Sequence, residues 1–178
     1  MRNRGCWIVI VLLVVLLAAA YFAVARAAAR LIIAAPGDTL AEGRADAGDP
    51  ADYGLPAPEE ISIDAGDVTL AGWYFDNPLE GNCGVMFMHG YMGTRYQALY
   101  FAPLFWERGC DILAYDHRGH GESTAAFHTY GFYEKQDALA ARNWFADKSG
   151  LDPSRIAVGG VSYGAATALQ LGPMVPEA

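Results

Sequence analysis

The 178-residue chain is 53% hydrophobic with a formal net charge of -8, which limits it to one modest domain and excludes nucleic-acid binding through a basic surface. The charge is unevenly placed. Residues 1–30 hold Arg2, Arg4, Arg26 and Arg30 and no acid, so the remaining 8 basic and 20 acidic residues give the rest of the chain a net charge of -12.

Trp7 to Ala25 is a run without a single charge, WIVIVLLVVLLAAAYFAVA. As a helix rising about 1.5 Å per residue it covers roughly 28 Å, close to a bilayer's hydrocarbon core. A buried core helix needs no flanking arginines and normally keeps a polar face. Residues 1–33 therefore read as a single-pass transmembrane anchor, with the lipid bilayer a partner through residues 7–25. The alternative is a cleaved signal peptide, with Ala23-Val24-Ala25 and Ala27-Ala28-Ala29 as small-residue cleavage sites. Against it, the run exceeds the roughly 7 to 15 residues of a signal's apolar region. Arginines flank the span on both sides; the expected orientation has the amino terminus inside and the domain extracytoplasmic.

Pro36 to Glu60 is rich in Pro, Gly, Ala and Asp, with seven acids opposed only by Arg44. Without an apolar period to bury, residues 34–58 read as an extended acidic linker. From residue 59 short apolar runs alternate with helical stretches. Ile61–Ile63 and Val68–Phe75 flank Asp64-Ala65-Gly66-Asp67, an antiparallel hairpin. Strands follow at Val85–Met88, Ile112–Tyr115 and Ile156–Val158. Helices are predicted at Tyr96–Arg108, closed by Gly109, at Tyr133–Lys148 with Ala138, Ala141 and Phe145 on one face, and from Ala165 to Leu171. An antiparallel opening followed by β-α-β-α-β-α predicts an α/β fold with a mostly parallel sheet and helices on both faces over residues 59–178. Cys83 and Cys110 each stand six residues ahead of a strand-end residue, His89 and Asp116. On neighbouring strands they are either a disulfide or, the reading we favour from sequence, two small buried hydrophobes.

Open α/β sheets place ligands at the carboxyl ends of their strands, where three loops carry reactive residues. Gly160-Val161-Ser162-Tyr163-Gly164 lies between the strand RIAVG and the helix AATALQL. A reversal this sharp leaves no room for side chains at Gly160 and Gly164 and exposes Ser162 above the sheet, the posture of a nucleophile. His89-Gly90-Tyr91-Met92-Gly93 follows the strand VMFM. The amides of Tyr91 and Tyr163 are placed to form an oxyanion hole, worth about 3 to 4 kcal/mol per good donor. His89, between strand and glycine, reads as ordering its loop together with Gly90 rather than as a base.

The third loop is Tyr115-Asp116-His117-Arg118-Gly119-His120-Gly121-Glu122-Ser123. With H-G-Y-M-G before it and G-V-S-Y-G after it, from about Glu59 to the end, the chain resembles the α/β-hydrolase superfamily, most of all small membrane-anchored or secreted bacterial hydrolases related to serine aminopeptidases and esterases. The resemblance implies hydrolysis of a small-molecule ester, thioester or amide through an acyl-serine on Ser162, with no metal or organic cofactor. It also implies that Asp116 and Arg118 brace the loop through an internal ion pair and are not catalytic. Glu134 and Asp137 read as favourable charge at a helix amino terminus.

The chain departs from this pattern after the serine. The family's triad runs Ser, then Asp or Glu, then His. The sixteen residues after Ser162 contain no histidine and one acid, Glu177. His89, His117, His120 and His128 all lie upstream, His128 reading as a flexible surface position. The expectation is the amino-terminal portion of a longer hydrolase, lacking its carboxy-terminal half and inactive by itself. The alternative is a non-catalytic membrane-tethered binding module, or half of a split enzyme. Trp73, Trp106, Trp144 and the tyrosines read as packing.

Overall fold

The computed structural model describes residues 2–34, 37–79, 81–125 and 127–175, with side chains from residue 5 onward; Glu177 lies outside them. The chain separates into two units, Met1–Ala35 and Pro36–Ala178. The first is one helix, α1 (Arg2–Ile33), whose segment Gly5–Ile33 is long and apolar enough to cross a membrane.

The second unit is built on a five-stranded mixed sheet of order β1-β2-β4-β3-β5. β1 (Glu59–Asp64) and β2 (Thr69–Phe75) form the expected hairpin, and β2 pairs antiparallel with β4 (Asp111–Tyr115). β4 pairs parallel with β3 (Gly84–Met88), which pairs parallel with β5 (Ile156–Gly160).

The period-two alternation of the central strands divides the core into two halves. Leu70, Tyr74, Met86, Met88, Leu113 and Tyr115 face one side. They meet Ala138, Ala141 and Phe145 of α4 (Glu134–Ser149) and Leu171 of α5 (Tyr163–Leu171). Trp73, Phe75, Val85, Phe87, Ile112 and Ala114 face the other side and meet Tyr96, Leu99 and Ala102. β3 and β4 are thus covered on both faces, as their near-continuous apolar sequence requires, whereas β5 stands at the edge of the sheet with Ile156 buried and Ala157 exposed.

Two expectations are corrected here. The linker is not extended: α2 (Leu40–Ala47) forms behind a capping box in which Thr39 Oγ1 accepts from Glu42 N at 3.2 Å and Thr39 N donates to the Glu42 carboxylate at 2.8 Å. Ala47 and Leu55 then bury themselves in the second half-core. The helix expected at Tyr96–Arg108 is split into a 3₁₀ segment, Arg95–Tyr100, and the short α3 (Ala102–Trp106). Pro103 has no amide to donate to residue 99, so it can begin a helix but not continue one. Cys83 and Cys110, which precede β3 and β4, are joined in a disulfide with Cα atoms 4.7 Å apart.

Candidate active site

The reversal from β5 into α5 occupies only Val161 and Ser162. Val161 N donates to Met88 O at 3.1 Å, and Ala166 N to Ser162 O at 3.0 Å, so the turn is bonded both to the end of β3 and to its own helix. Both flanking glycines are forced by that packing. A Cβ on Gly160 would lie 2.6 Å from the Gly164 carbonyl carbon and 2.7 Å from Met88 O; one on Gly164 would overlap Met88 O and stand 2.6 Å from the Met88 carbonyl carbon. Ser162 is exposed at the head of α5 with φ 50 and ψ -106, a backbone conformation that costs a residue with a side chain about 1–3 kcal/mol.

The loop after β3 runs alongside. A Cβ on Gly90 would come within 3.8 Å of Ser162 Cβ. Gly90 N donates to Gln97 Oε1 at 2.8 Å, and Gly93 N closes the turn onto Gly90 O at 3.0 Å. The amides of Tyr91 and Tyr163 donate to no backbone acceptor among the described residues.

His89 is buried and orders this loop. Gly90 O can only accept, so His89 Nδ1 carries the proton across their 2.7 Å contact, while Nε2 accepts from His117 N at 2.9 Å. Burial pushes its pKa down to about 3, so the imidazole is neutral with both nitrogens engaged. His120 works in the same way: Nδ1 donates to Arg118 O at 3.0 Å and Nε2 accepts from Met92 N at 3.3 Å. His117 is completely buried, which holds its pKa well below the usual imidazole value. His128 is also buried, packed 5.1 Å from the Tyr91 ring and 5.2 Å from the Tyr130 ring, and not at a flexible surface.

Asp116 and Arg118 brace the site, but not by pairing with each other. Asp116 is fully buried and accepts from Arg95 N at 2.7 Å and Glu122 N at 3.0 Å, with Arg95 Nε 3.2 Å away. The Arg95 guanidinium also engages Glu60 at 2.9 Å and Glu122, tying the loops after β3 and β4 to β1. Arg118 forms a two-pronged bond with buried Asp137, both contacts 2.7 Å, and reaches Asp67 at 3.0 Å. Burial raises the pKa values of Asp116 and Asp137 against the opposing pull of their arginines. Asp137 and Glu134 do lie in the first turn of α4, and both are buried. Glu134 does more than charge the helix end: its carboxylate accepts from Thr129 N at 2.6 Å, Thr129 Oγ1 at 2.7 Å and Gly131 N at 2.7 Å.

These elements leave a cleft of about 330 Å³ lined by Tyr91, Tyr130, Ser162, Tyr163 and Ala166. Tyr91 and Tyr130 stack with ring centroids 5.8 Å apart, and Tyr163 meets Tyr130 edge-on at 5.8 Å. Sequence reasoning missed Tyr130; the one available signal was the glutamate four residues on, which fastens its turn. No histidine lines this cleft among the described residues, and they contain no cluster of three or more His, Cys, Asp or Glu side chains placed to hold a metal ion.

A sheet with helices on both faces, carrying its reactive loops at the strand ends, is the architecture of an α/β hydrolase. The family model for the alpha/beta hydrolase fold matches residues 85–178, and the chain belongs to that family. The esterase Pf2001 of Pyrococcus furiosus superimposes with a TM-score of 0.64 at 31% identity, covering 72% of this chain and 51% of that one. An alpha-beta hydrolase from Vibrio vulnificus, at 24% identity, shares the fold with a TM-score of 0.60 over 83% of this chain and 49% of its own. An uncharacterized protein of Mycobacterium tuberculosis is 33% identical over 126 residues, 70% of this chain and 44% of that protein. The chain thus spans about half the length of the relatives it matches.

Proposed function

We propose that the chain carries the nucleophile and oxyanion half of a serine hydrolase acting on esters, thioesters or amides, with Ser162 attacking the carbonyl to form an acyl-serine. The observation that carries this reading is the Ser162 hydroxyl in a strained left-handed turn at the head of α5, beside the Gly90 loop. The Tyr91 and Tyr163 amides serve as the oxyanion donors, one from the loop and one from a helix amino terminus where positive partial charge gathers. Among known structures, the esterase Pf2001 supports ester hydrolysis as the chemistry.

The buried histidines favour a second reading for the chain by itself. His89 and His120 already use both ring nitrogens, each bonding its own loop and the loop opposite, so neither is free to take the serine's proton. On this reading the chain is a membrane-tethered binding module, or one half of a split enzyme whose partner supplies the acid and histidine. The anchor reading is supported by the apolar helix Gly5–Ile33, and an extracytoplasmic placement by the Cys83–Cys110 disulfide, since such bonds persist in oxidising compartments.

A fluorophosphonate probe tests whether the chain by itself holds an activated serine. Covalent labelling that disappears in Ser162→Ala establishes an activated serine. We expect weak or no labelling of the 178-residue chain alone. Strong labelling would show that one of the upstream histidines acts as base, and would overturn the binding-module reading.

A further inference from the structure

Three residues other than glycine adopt left-handed backbone in the two site loops and the turn before α4: Met92 at φ 61, Tyr130 at φ 54 and Ser162 at φ 50. Strain of this kind persists only where surrounding structure enforces it, and it gathers at ligand-binding sites. For Tyr130 the enforcement is explicit. Glu134 grips the turn on either side through Thr129 and Gly131, and Gln170 Nε2 of α5 donates to the Tyr130 carbonyl at 3.3 Å. The backbone is clamped while the ring itself is half exposed. A clamp that holds an aromatic ring at a cleft mouth is poorly explained by packing, because burial of that ring is not its result.

We propose that Tyr91, Tyr130 and Ala166 form a recognition subsite next to Ser162 for the uncharged aryl group of an ester; this rests on the serine-hydrolase reading above. No charged side chain lines the cleft, so a carboxylate, phosphate or ammonium entering it would shed water without a partner. The exposed tyrosine ring offers both a π face and edges, which favour offset or edge-on contact with another ring. Tyr130 is the specificity-determining member, since its ring is the most open of the three, 49% exposed against 36% for Tyr91, and Tyr163 is buried.

The test uses the full chain in detergent micelles, titrated with acetanilide, the amide analogue of phenyl acetate, and with benzoate and benzylamine as charged counterparts. Backbone amide NMR is the readout. The expected result is saturable shifts centred on Tyr91, Tyr130 and Tyr163–Ala166 for acetanilide and not for the charged pair. Tyr130→Ala should weaken binding about tenfold and Tyr130→Phe should retain it; the amide spectrum reports whether each variant is folded. Shifts elsewhere, a response that never saturates, benzoate binding as tightly, or Tyr130→Ala binding unchanged would each overturn the subsite. Fluorophosphonate labelling is run in parallel. Labelled protein that ignores acetanilide removes the subsite alone, whereas unlabelled protein that binds it at these residues keeps the subsite and assigns the chain by itself to the binding-module or split-enzyme reading.

Discussion

Of three glycines within six residues, two should be intolerant of alanine and the third indifferent to it. In Gly164→Ala the added methyl meets the backbone of Met88 and His89 and nothing flexible, its second and third nearest atoms being 2.6 and 2.7 Å away. In Gly160→Ala it meets the Gly164 carbonyl carbon at 2.6 Å and Met88 O at 2.7 Å. In Gly159→Ala the nearest atom is Phe87 Cε1 at 3.8 Å, an ordinary contact, and the backbone there is not left-handed. Relief in the first two cases requires the helix amino terminus to lift off β3. Overpacking of this kind costs about 3 kcal/mol at the upper end of its usual range. For a unit of this size that lowers Tm by about 10 °C. Gly159→Ala should fall within about 0.5 kcal/mol of the parent, the reduced freedom of the unfolded chain offsetting any loss. Thermal unfolding followed by near-ultraviolet circular dichroism is the suitable assay, because it reports Trp73 and Trp144 in the two half-cores and not the helical signal of α1. If Gly164→Ala melted with Gly159→Ala, the turn would not be seated on β3 and the placement of Ser162 derived from that seating would be wrong.

Replacing both Cys83 and Cys110 by serine should destabilise the unit by about 3–4 kcal/mol, since the bond closes a loop of sequence separation 27 in the unfolded chain; chemical denaturation with and without reductant checks it, and reductant should have no effect on the double variant. Acid should weaken the fold through His89. Its folded pKa of about 3 lies below the ordinary 6.5, so as the pH falls between those values the unfolded chain takes a proton that the folded one refuses, and up to about 4–5 kcal/mol is lost. His117 acts in the same direction, while Asp116 and Asp137, raised by burial, bind protons more readily when folded and oppose it. The His89 contribution is therefore read as the difference in pH slope between the parent and His89→Gln, with equal slopes refuting it. Asp137→Asn leaves the buried Arg118 guanidinium without its two-pronged partner and should cost about 3–5 kcal/mol, measured as a shift of the urea midpoint.

What could be read directly from the residues was whatever depends on near neighbours. Alternation in VMFM and ILAY specifies which side chains face which half-core, and Gly160 and Gly164 announce a turn too tight for side chains. Pro103 lies inside the helix predicted at Tyr96–Arg108, and the helix is interrupted just before it. The box Thr39-Leu40-Ala41-Glu42 was equally visible, but its acidic, glycine-rich setting masked a helix that docks through Ala47 and Leu55. The ion-pair partners were beyond reach for a different reason. Asp116 pairs with Arg95 and Arg118 with Asp137 only because β3, β4 and α4 are adjacent in space, and no local period encodes that. Tyr130 was hidden among ten tyrosines whose ordinary role is packing.

The left-handed residues at Met92, Tyr130 and Ser162 also set a direction for evolution. Glycine at any of the three would release about 1 kcal/mol or more of strain, so selection for heat tolerance alone would drift toward glycine there. A lineage of this chain that keeps bulky side chains at all three positions is forgoing thermal robustness that single substitutions could supply, and such restraint is maintained only while something else is being selected.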